Sequence, residues 1–316
     1  MFTVTPTPNQ DHSNSILIIG ASGFLGANVL LSIQSHSSCV AHSSLHKINV
    51  PGIRSVQADL RLPNSALELV HQISPSLVIN CAALANIDQC EQYPELASRL
   101  NTDMPNELAI ACGNVGARLV HVSTDAVFSG EFDLYNIEDK TSPINVYGET
   151  KARAEEVIMK SLPNALIVRT NIIGWSPTGS RSLLEFFVRS LTKEEACEGF
   201  YDSMFRPIAA NNFWPITHEW LRNNKTGISH AFGSELISKY EFGCRIARQF
   251  NFNPQLIVQT SIERRFEKNV RGKSLNLLPS DVHDPDLLNI DNALVELQNL
   301  AESGYQKSLE LILEKH

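Results

Sequence analysis

The residue types best suited to chemistry in this sequence are a phenol and an amine four residues apart. Tyr147 and Lys151 lie in the stretch "SPINVYGETKARAEEVI", residues 142–158. Residues i and i+4 share a helix face, so both groups can reach the same place. Such a pair also occurs on solvated helix faces. A catalytic role for it therefore depends on which other functional residues the fold places beside it.

A glycine-rich turn is the second candidate. In "ILIIGASGFLGANVLL" three glycines follow an apolar strand and open a helix. A pyrophosphate can approach backbone N–H groups only where no Cβ blocks it, and the helix N-terminus adds partial positive charge. The spacing Gly-x-x-Gly-x-x-Gly is a variant of the dinucleotide fingerprint, which favours a cofactor site over a structural turn. The predicted cofactor contacts at this turn are Gly20, Ser22, Gly23, Phe24, Leu25 and Gly26.

The end of the second predicted strand bears on the choice of cofactor. An NAD site usually has Asp or Glu there, which holds the ribose hydroxyls. This chain has "VAHSSLHK", with His42, Ser43, His46 and Lys47 and no acid. The pattern favours NADP over NAD, although Ser43 could instead bind an NAD ribose. Two histidines four apart have no third ligand patterned near them, so we predict no metal site.

A hydroxyl is expected beside the phenol. "LVHVSTDAVFSG" ends a predicted strand with Ser123, Thr124 and Asp125, and ligands bind at the carboxyl ends of parallel strands. We expect the Lys151 ammonium and the positive ring of an oxidised nicotinamide to lower the pKa of Tyr147 from about 10. The predicted chemistry is carbonyl reduction, with Tyr147 as general acid, Thr124 orienting the carbonyl and Lys151 holding the cofactor ribose.

The elements that must position these groups alternate along the first 170 residues. Predicted strands lie in "ILII", "SCVAH", "RSVQA", "SLVIN", "ARLVHVS" and "NALIVRT", with one more in "GISHAFGS". Apolar strands alternating with helices indicate a parallel sheet covered on both faces. The sequence predicts an α/β fold with a doubly wound (Rossmann) dinucleotide-binding domain, residues 1–170, and a return segment at 208–238. Residues 171–316 are expected to form mainly a smaller substrate-binding lobe, ending in two amphipathic helices broken at Gly304.

Composition narrows the class of protein. The chain has 316 residues, 43% of them hydrophobic, and a net charge of -8. This balance argues against nucleic acid or an anionic membrane as partner, because both attract clustered Lys and Arg. The six cysteines are scattered without a Cys-x-x-Cys pair, which indicates reduced thiols. Without a signal peptide or a membrane-length apolar run, we expect a cytoplasmic protein.

Several stretches together resemble one family: "GASGFLG", "VINCAALANIDQCE", "PELASRLNTDMPNELA", "LVHVSTDAVFSG" and "INVYGETKARAEE". Their order and spacing resemble the extended short-chain dehydrogenase/reductases. Within that group the chain is similar to the dTDP-4-dehydrorhamnose reductases and related sugar-nucleotide-binding proteins. The resemblance implies a catalytic set of Thr124, Tyr147 and Lys151. Tyr147 and Lys151 are also expected to contact the cofactor. It implies further cofactor contacts along residues 80–83 and nearby, at Asp59, Leu60, Cys81, Ala82, Ala83 and Asn101.

Departures from the family pattern fall on the expected substrate side. Ala126 stands where the reductases commonly have tyrosine, and Arg206 and Ile208 flank Pro207 where they have Ser-Pro-Thr. A later Arg-Pro pair is Arg271-Gly272 here. These changes do not affect the residues predicted for hydride transfer. They do affect the expected substrate pocket, so the sequence does not identify the sugar. The expected substrate contacts are Ser123, Asp125, Ala126, Arg206 and Arg271.

The resemblance implies NAD(P)H-dependent reduction of a keto group on a nucleotide-linked deoxysugar. An epimerase that retains its cofactor is a first alternative. A dehydratase is disfavoured, because Ala126 removes the glutamate that such enzymes tend to place after Thr-Asp. The second alternative is a non-catalytic, NADP-binding regulatory subunit, since a subunit of some methionine adenosyltransferases resembles the same family. The oligomeric state is left open, a homodimer included.

Overall fold

The computed structural model describes residues 3–4, 15–33, 38–44, 48, 50–131, 133–262, 272 and 274–313. Two of the residues named above, His46 and Lys47, and the expected substrate contact Arg271 lie outside this described part. The strands are β1 (Thr3–Val4), β2 (Ser15–Ile19), β3 (Ser38–Ser43), β4 (Arg54–Gln57), β5 (Leu77–Asn80), β6 (Arg118–Thr124), β7 (Leu166–Thr170), β8 (Ile172–Ile173), β9 (Cys197–Phe200), β10 (Met204–Phe205), β11 (Ile208–Ala209), β12 (Gly227–Ala231), β13 (Ile237–Ser238) and β14 (Ile257–Thr260).

Helices lie between most of these strands. They are α1 (Phe24–Ile33), α2 (Ser65–Ile73), α3 (Ile87–Gln92), α4 (Pro94–Ser98), α5 (Met104–Val115), α6 (Val146–Ser161), α7 (Leu183–Thr192), α8 (Phe213–Arg222), α9 (Lys239–Gln249), α10 (Ile290–Glu302) and α11 (Tyr305–Ile312). The predicted break near the chain's end is confirmed. Gly304 separates α10 from α11 with φ 83°, a conformation that glycine adopts without strain.

The central sheet of the described chain has eight strands, in the order β1-β4-β3-β2-β5-β6-β7-β12. All pairs are parallel except β1 with β4. The strand order reverses on the two sides of β2, which creates the crevice where doubly wound sheets bind ligands. The predicted doubly wound parallel sheet is therefore confirmed.

Both faces of this sheet are covered, as the apolar strand sequences require. Along β2, Leu17 and Ile19 face a buried cluster that includes residues of α2, α5 and α6. Ile16 and Ile18 face the opposite cluster, which includes residues of α1, α8 and α10. Side chains alternate along a strand, so a strand buried on both faces has apolar residues at every position.

Residues after β7 build the remainder of the fold around three short strand pairs. β8 pairs with β11, β9 with β14 and β10 with β13. β12 returns to the central sheet beside β7. Among the described residues, no helix combines the length and apolarity needed to cross a membrane.

Residues 94–115 are helical throughout but do not form one regular α-helix. α4 ends at Ser98, a single π-helical turn spans Arg99–Asp103, and α5 continues to Val115. A π turn inserts one extra residue into a helix. The spacing of apolar residues does not reveal that insertion.

Candidate functional site

A cleft of about 640 Å³ lies at the carboxyl ends of the central strands. It joins the glycine turn after β2 to the end of β6 and the start of α6. Residues from the sequence analysis that line it are Gly20, Ser22, Gly23, Phe24, Leu25, Leu60, Cys81, Ala82, Ala83, Ser123, Thr124, Asp125, Tyr147 and Lys151. Further lining residues, which the sequence analysis did not single out, include Ser44, Met104, Thr170, Asn171, Ile172 and Arg181.

The glycine turn has the tight geometry that a dinucleotide site needs. Gly20 has φ 76°, and Gly23 N donates a hydrogen bond to Gly20 O at 2.9 Å. A Cβ on Gly26 would overlap the Gly20 carbonyl, so Gly26 packs behind the turn and does not line the cleft. The first N–H groups of α1 lack partners within the helix and can bond an anion. These residues fit the pyrophosphate of a dinucleotide.

Two residues predicted to contact the cofactor at the end of β3 lie away from the cleft wall. His42 is 1% exposed, with Nδ1 accepting from Gly20 N at 3.3 Å and Nε2 3.0 Å from Ala58 O. Burial lowers the pKa of His42 to about 4, so this histidine is neutral and cannot attract a phosphate by charge. Ser43 is also buried, and the next residue, Ser44, reaches the cleft instead.

Asp59 does not reach the cleft either. Its carboxylate is paired with Arg61 at 2.7 Å on the surface, which holds the pKa of Asp59 below its usual range. Its neighbour Leu60 lines the cleft. Asp59 opens a turn after β4, in which Leu62 N donates to Asp59 O at 3.2 Å, so these neighbouring side chains point in different directions.

The start of α6 is fixed against the end of β6. The Asn145 side chain caps the helix by accepting from Gly148 N at 2.8 Å. A Cβ on Gly148 would overlap the Ala126 carbonyl, so the first turn of α6 packs directly on the turn after β6. This contact brings Tyr147 to Thr124. Ala126 is used in this packing and does not line the cleft.

The phenol of Tyr147 is partly buried beside the Thr124 hydroxyl. Burial raises the pKa of Tyr147, a hydrogen bond with Thr124 opposes the rise, and the nearby Asp125 carboxyl adds to it. Without a cofactor, burial is therefore the largest effect on the phenol, and Lys151 Nζ bonds to Val122 O. The lowering expected beside the positive ring of an oxidised nicotinamide stays a prediction.

Lys151 is 2% exposed and bonds to the strands beneath it. Nζ donates to Val122 O at 2.6 Å and lies 3.0 Å from His121 Nε2. His121 Nδ1 in turn lies 3.0 Å from Asn80 Nδ2. Burial lowers the pKa of Lys151 to about 8. Sequence patterns did not identify His121, although its place two residues before Ser123 puts both side chains on the same face of β6.

A buried ion pair supports the same end of the cleft. Ser123 Oγ donates to Glu155 Oε1 at 2.6 Å, and Glu155 pairs with Arg169 at 2.7 Å. Arg169 also contacts His230 Nε2 at 3.3 Å and stacks over the Phe128 ring. Ser123 therefore lines the cleft with its hydroxyl proton directed away from it.

Asp125 is 3% exposed and closes the cleft beside Thr124. It accepts from Asn171 Nδ2 at 2.7 Å and from the Thr124 hydroxyl at 3.0 Å. Burial raises the pKa of Asp125, and those two hydrogen bonds oppose the rise. Asn171 follows β7 directly, so its strand-end position is the signal that could have identified it.

Arg206, expected to contact substrate, is bound within the protein. Its Nε donates to Asn276 Oδ1 at 2.7 Å and its guanidinium to Ser234 O at 2.6 Å. It does not line the cleft. Arg181 is the arginine of the described chain that does, and its place in a loop before α7 gave no pattern to predict it.

Asn101 lies behind the cleft wall, in the π turn Arg99–Asp103. Its Oδ1 accepts from Leu84 N at 2.8 Å, and its Nδ2 donates to Leu84 O and Thr150 Oγ1, both at 3.1 Å. The side chain thus ties the segment after β5 to α6. It holds cleft-lining backbone in place and does not itself line the cleft.

Residues 14–291 match the protein family described as "RmlD substrate binding domain". A probable low-salt glycan biosynthesis reductase of Haloferax volcanii is 29% identical over 247 residues, 76% of this chain and 81% of that protein. Methionine adenosyltransferase 2 subunit beta of Pongo abelii is 27% identical over 244 residues, 75% of this chain and 72% of that protein.

A solved structure has the same fold. The dTDP-4-dehydrorhamnose reductase of Bacillus anthracis, crystallised with NADP, aligns with a TM-score of 0.71 and 22% identity. The alignment covers 95% of this chain and 98% of that one. Almost the whole chain therefore follows the path of that protein.

Proposed function

The chain belongs to the RmlD substrate binding domain family, and on that premise we propose that it is an NADPH-dependent reductase. Its substrate would be a keto group on a nucleotide-linked deoxysugar, as in the dTDP-4-dehydrorhamnose reductases. The observation that supports this most is the convergence of three groups on one cleft. Thr124, Tyr147 and Lys151 line the same cleft as the glycine turn.

The protonation of Tyr147 suits the reductive direction. A raised pKa keeps the phenol protonated at neutral pH, so it holds the proton that the reduced oxygen must receive. Thr124, beside the phenol, orients the carbonyl. Bound NADPH would supply the hydride to the carbonyl carbon.

We propose NADPH over NADH because the described residues that line the cleft after β3 include no carboxylate. Ser44 lines the cleft there, and Asp59, two residues after β4, is paired with Arg61. A carboxylate at this position would repel the 2′-phosphate of NADP. His42 contributes no positive charge, so the preference rests on missing repulsion.

The substrate end of the cleft includes a cation and an amide from the segment after β7. Arg181 and Asn171 line it, and Asn171 is held by Asp125. A guanidinium matches the diphosphate of a sugar nucleotide. We propose that residues 171–316 supply most of the substrate contacts, through these two side chains first. Because such substrates and NADPH are cytoplasmic metabolites, the same proposal implies a cytoplasmic protein.

A non-catalytic, cofactor-binding subunit is the second candidate. The 27% identity to a methionine adenosyltransferase subunit over three quarters of the chain favours it. Tyr147 and Lys151 do not separate the two functions, because a cofactor-binding subunit can retain both residues.

One assay distinguishes the candidates. The purified protein is mixed with NADPH or NADH and a panel of dTDP-, UDP- and GDP-linked keto sugars, and cofactor oxidation is followed. We expect oxidation of NADPH with at least one sugar nucleotide. No oxidation across the panel, with a stable complex between this chain and a second protein, would support the regulatory function instead. Cofactor that co-purifies and is never released would indicate an epimerase.

A further inference from the structure

A buried chain of polar groups runs from the cleft floor to the Lys151 amine. Asn80 and His121 are opposite one another on β5 and β6, and neither is more than 1% exposed. Asn80 Oδ1 accepts from Ala82 N at 3.1 Å, and Asn80 Nδ2 lies 3.0 Å from His121 Nδ1. His121 Nε2 lies 3.0 Å from Lys151 Nζ, which also donates to Val122 O at 2.6 Å.

The direction of these hydrogen bonds follows from one backbone group. The Ala82 N–H can only donate, so the atom of Asn80 that faces it must be the carbonyl oxygen. The amide nitrogen of Asn80 then faces His121 and donates to Nδ1. A neutral imidazole that accepts at Nδ1 has its proton at Nε2. That N–H points at the Lys151 amine.

An N–H donor aimed at Nζ favours a lone pair there. A neutral amine can accept from His121 Nε2 and still donate to Val122 O. An ammonium has no lone pair, so its N–H groups would oppose the imidazole N–H. We therefore propose that His121 and Asn80 are positioning residues that favour the neutral amine of Lys151 over its ammonium in the cofactor-free protein. Binding of the cofactor would then be coupled to uptake of a proton at Lys151 Nζ.

The charged and titratable groups around Lys151 are consistent with this state. Glu155, on the same helix, favours the ammonium but is already bonded to Arg169 and Ser123. Burial raises the pKa of Cys81 to about 12, so its thiol is neutral. Burial lowers the pKa of His121 well below its usual range, so the imidazole is neutral. Tyr147, one turn before Lys151, is also neutral.

The coupling rests on the proposed cofactor site. Lys151 lines the cleft, where it would face the ribose hydroxyls and the negative phosphates of a bound dinucleotide. Negative charge favours the ammonium, so the pKa of Lys151 rises on binding and one proton is taken from solvent. In that state Nζ donates to His121 Nε2, and the imidazole proton moves to Nδ1. Asn80 must then turn its oxygen to His121, which releases the Ala82 N–H in the cleft wall.

The titration of Lys151 can be measured in the ligand-free protein. Competitive acylation with acetic anhydride, followed by mass spectrometry of the Lys151 peptide, gives the amine fraction at each pH. Three variants are compared with the wild type: Asn80→Asp, His121→Gln and, as control, His42→Gln. A carboxylate at position 80 accepts from both Ala82 N–H and His121 Nδ1–H. This reverses the direction of the hydrogen bonds between residues 80, 121 and 151. Glutamine at 121 can present its oxygen to Nζ and adds no charge.

We expect the wild-type amine to titrate at about pH 8 and both chain variants to titrate higher by about one unit or more. His42→Gln removes another buried imidazole near the cleft without touching Lys151, so the titration should not move. A wild-type midpoint above about 10 would overturn the proposal, as would equal midpoints in all folded variants. If Asn80→Asp does not fold, His121→Gln alone decides.

Calorimetry provides the second readout. NADPH is titrated into the protein at about pH 8.5 in two buffers of different ionisation enthalpy, which gives the number of protons taken up. The wild type should take up a proton, and the two chain variants should take up fewer. A merely structural role would weaken NADPH binding without changing proton uptake. Neither readout needs a sugar substrate, so failure of the proposed reductase activity would leave this test intact.

Discussion

The two ends of the cleft differ in how they are built. At the cofactor end, strand ends and glycines form the wall, and their positions are fixed by the sheet and by contacts such as Gly148 against Ala126. At the substrate end, loop side chains such as Arg181 form it, while Arg206, expected there, bonds to Asn276 instead. Backbone geometry is encoded in short motifs, whereas the reach of a long side chain depends on the path of a distant loop.

The most direct test of this difference is at the Tyr147 phenol, between the two ends of the cleft. Tyr147→Phe should lower turnover about 100- to 10,000-fold with NADPH affinity unchanged, because the proton donor is lost and the cofactor wall is not. Steady-state rates and fluorescence titration measure the two effects. The control, Tyr135→Phe, removes a hydroxyl that bonds to Gly130 N at 2.9 Å away from the cleft and should keep its turnover. Retained activity in Tyr147→Phe would contradict the assignment.

The support beneath the cofactor end should be far stronger than surface ion pairs elsewhere. Glu155→Gln leaves the buried Arg169 guanidinium without its charge partner and should lower the free energy of unfolding by about 3–5 kcal/mol. Arg245→Gln, which disrupts exposed pairs with Glu235 and Glu241, should cost about 0–1 kcal/mol. Urea unfolding compares the two. Equal losses would mean that the buried pair has no special structural role.

The close contact between α6 and the turn after β6 can be tested with a methyl group. Gly148→Ala should lower the free energy of unfolding by about 1–3 kcal/mol and reduce turnover, since α6 must move away from Ala126 O. Gly113→Ala is the matched helix variant, because its added Cβ would lie 3.7 Å from Leu162. It should be neutral or stabilise by up to about 1 kcal/mol. A stable, active Gly148→Ala protein would show that the contact is not needed.

The substrate end is tested with two arginines. Arg181→Gln should raise KM for the sugar nucleotide about tenfold, which corresponds to losing about 1.4 kcal/mol of binding. Arg206→Gln should leave KM unchanged and lower the free energy of unfolding by about 1 kcal/mol, because its bonds are internal. The opposite result would return substrate binding to Arg206.

Much of the fold was predictable because buried strands have locally apolar sequences. The strands from β2 to β7 and the helix break at Gly304 follow from short-range patterns. His42 was misplaced because the sequence does not say which residue at a strand end faces the cleft. His121 and Asn80 meet only when β5 and β6 pair in register, and this contact spans 41 residues of chain.

The π turn at Arg99–Asp103 supports the cleft wall through Asn101, and this role is separate from the folding of the helices on either side. Because the turn is one residue longer than a regular helical turn, removing a single residue there would bring α4 and α5 into the phase of one helix, kinked at Pro105, which has no N–H to donate. The same deletion would withdraw the Asn101 amide from Leu84 N and O. A shortened chain of this kind would be an intact scaffold with a loosened wall.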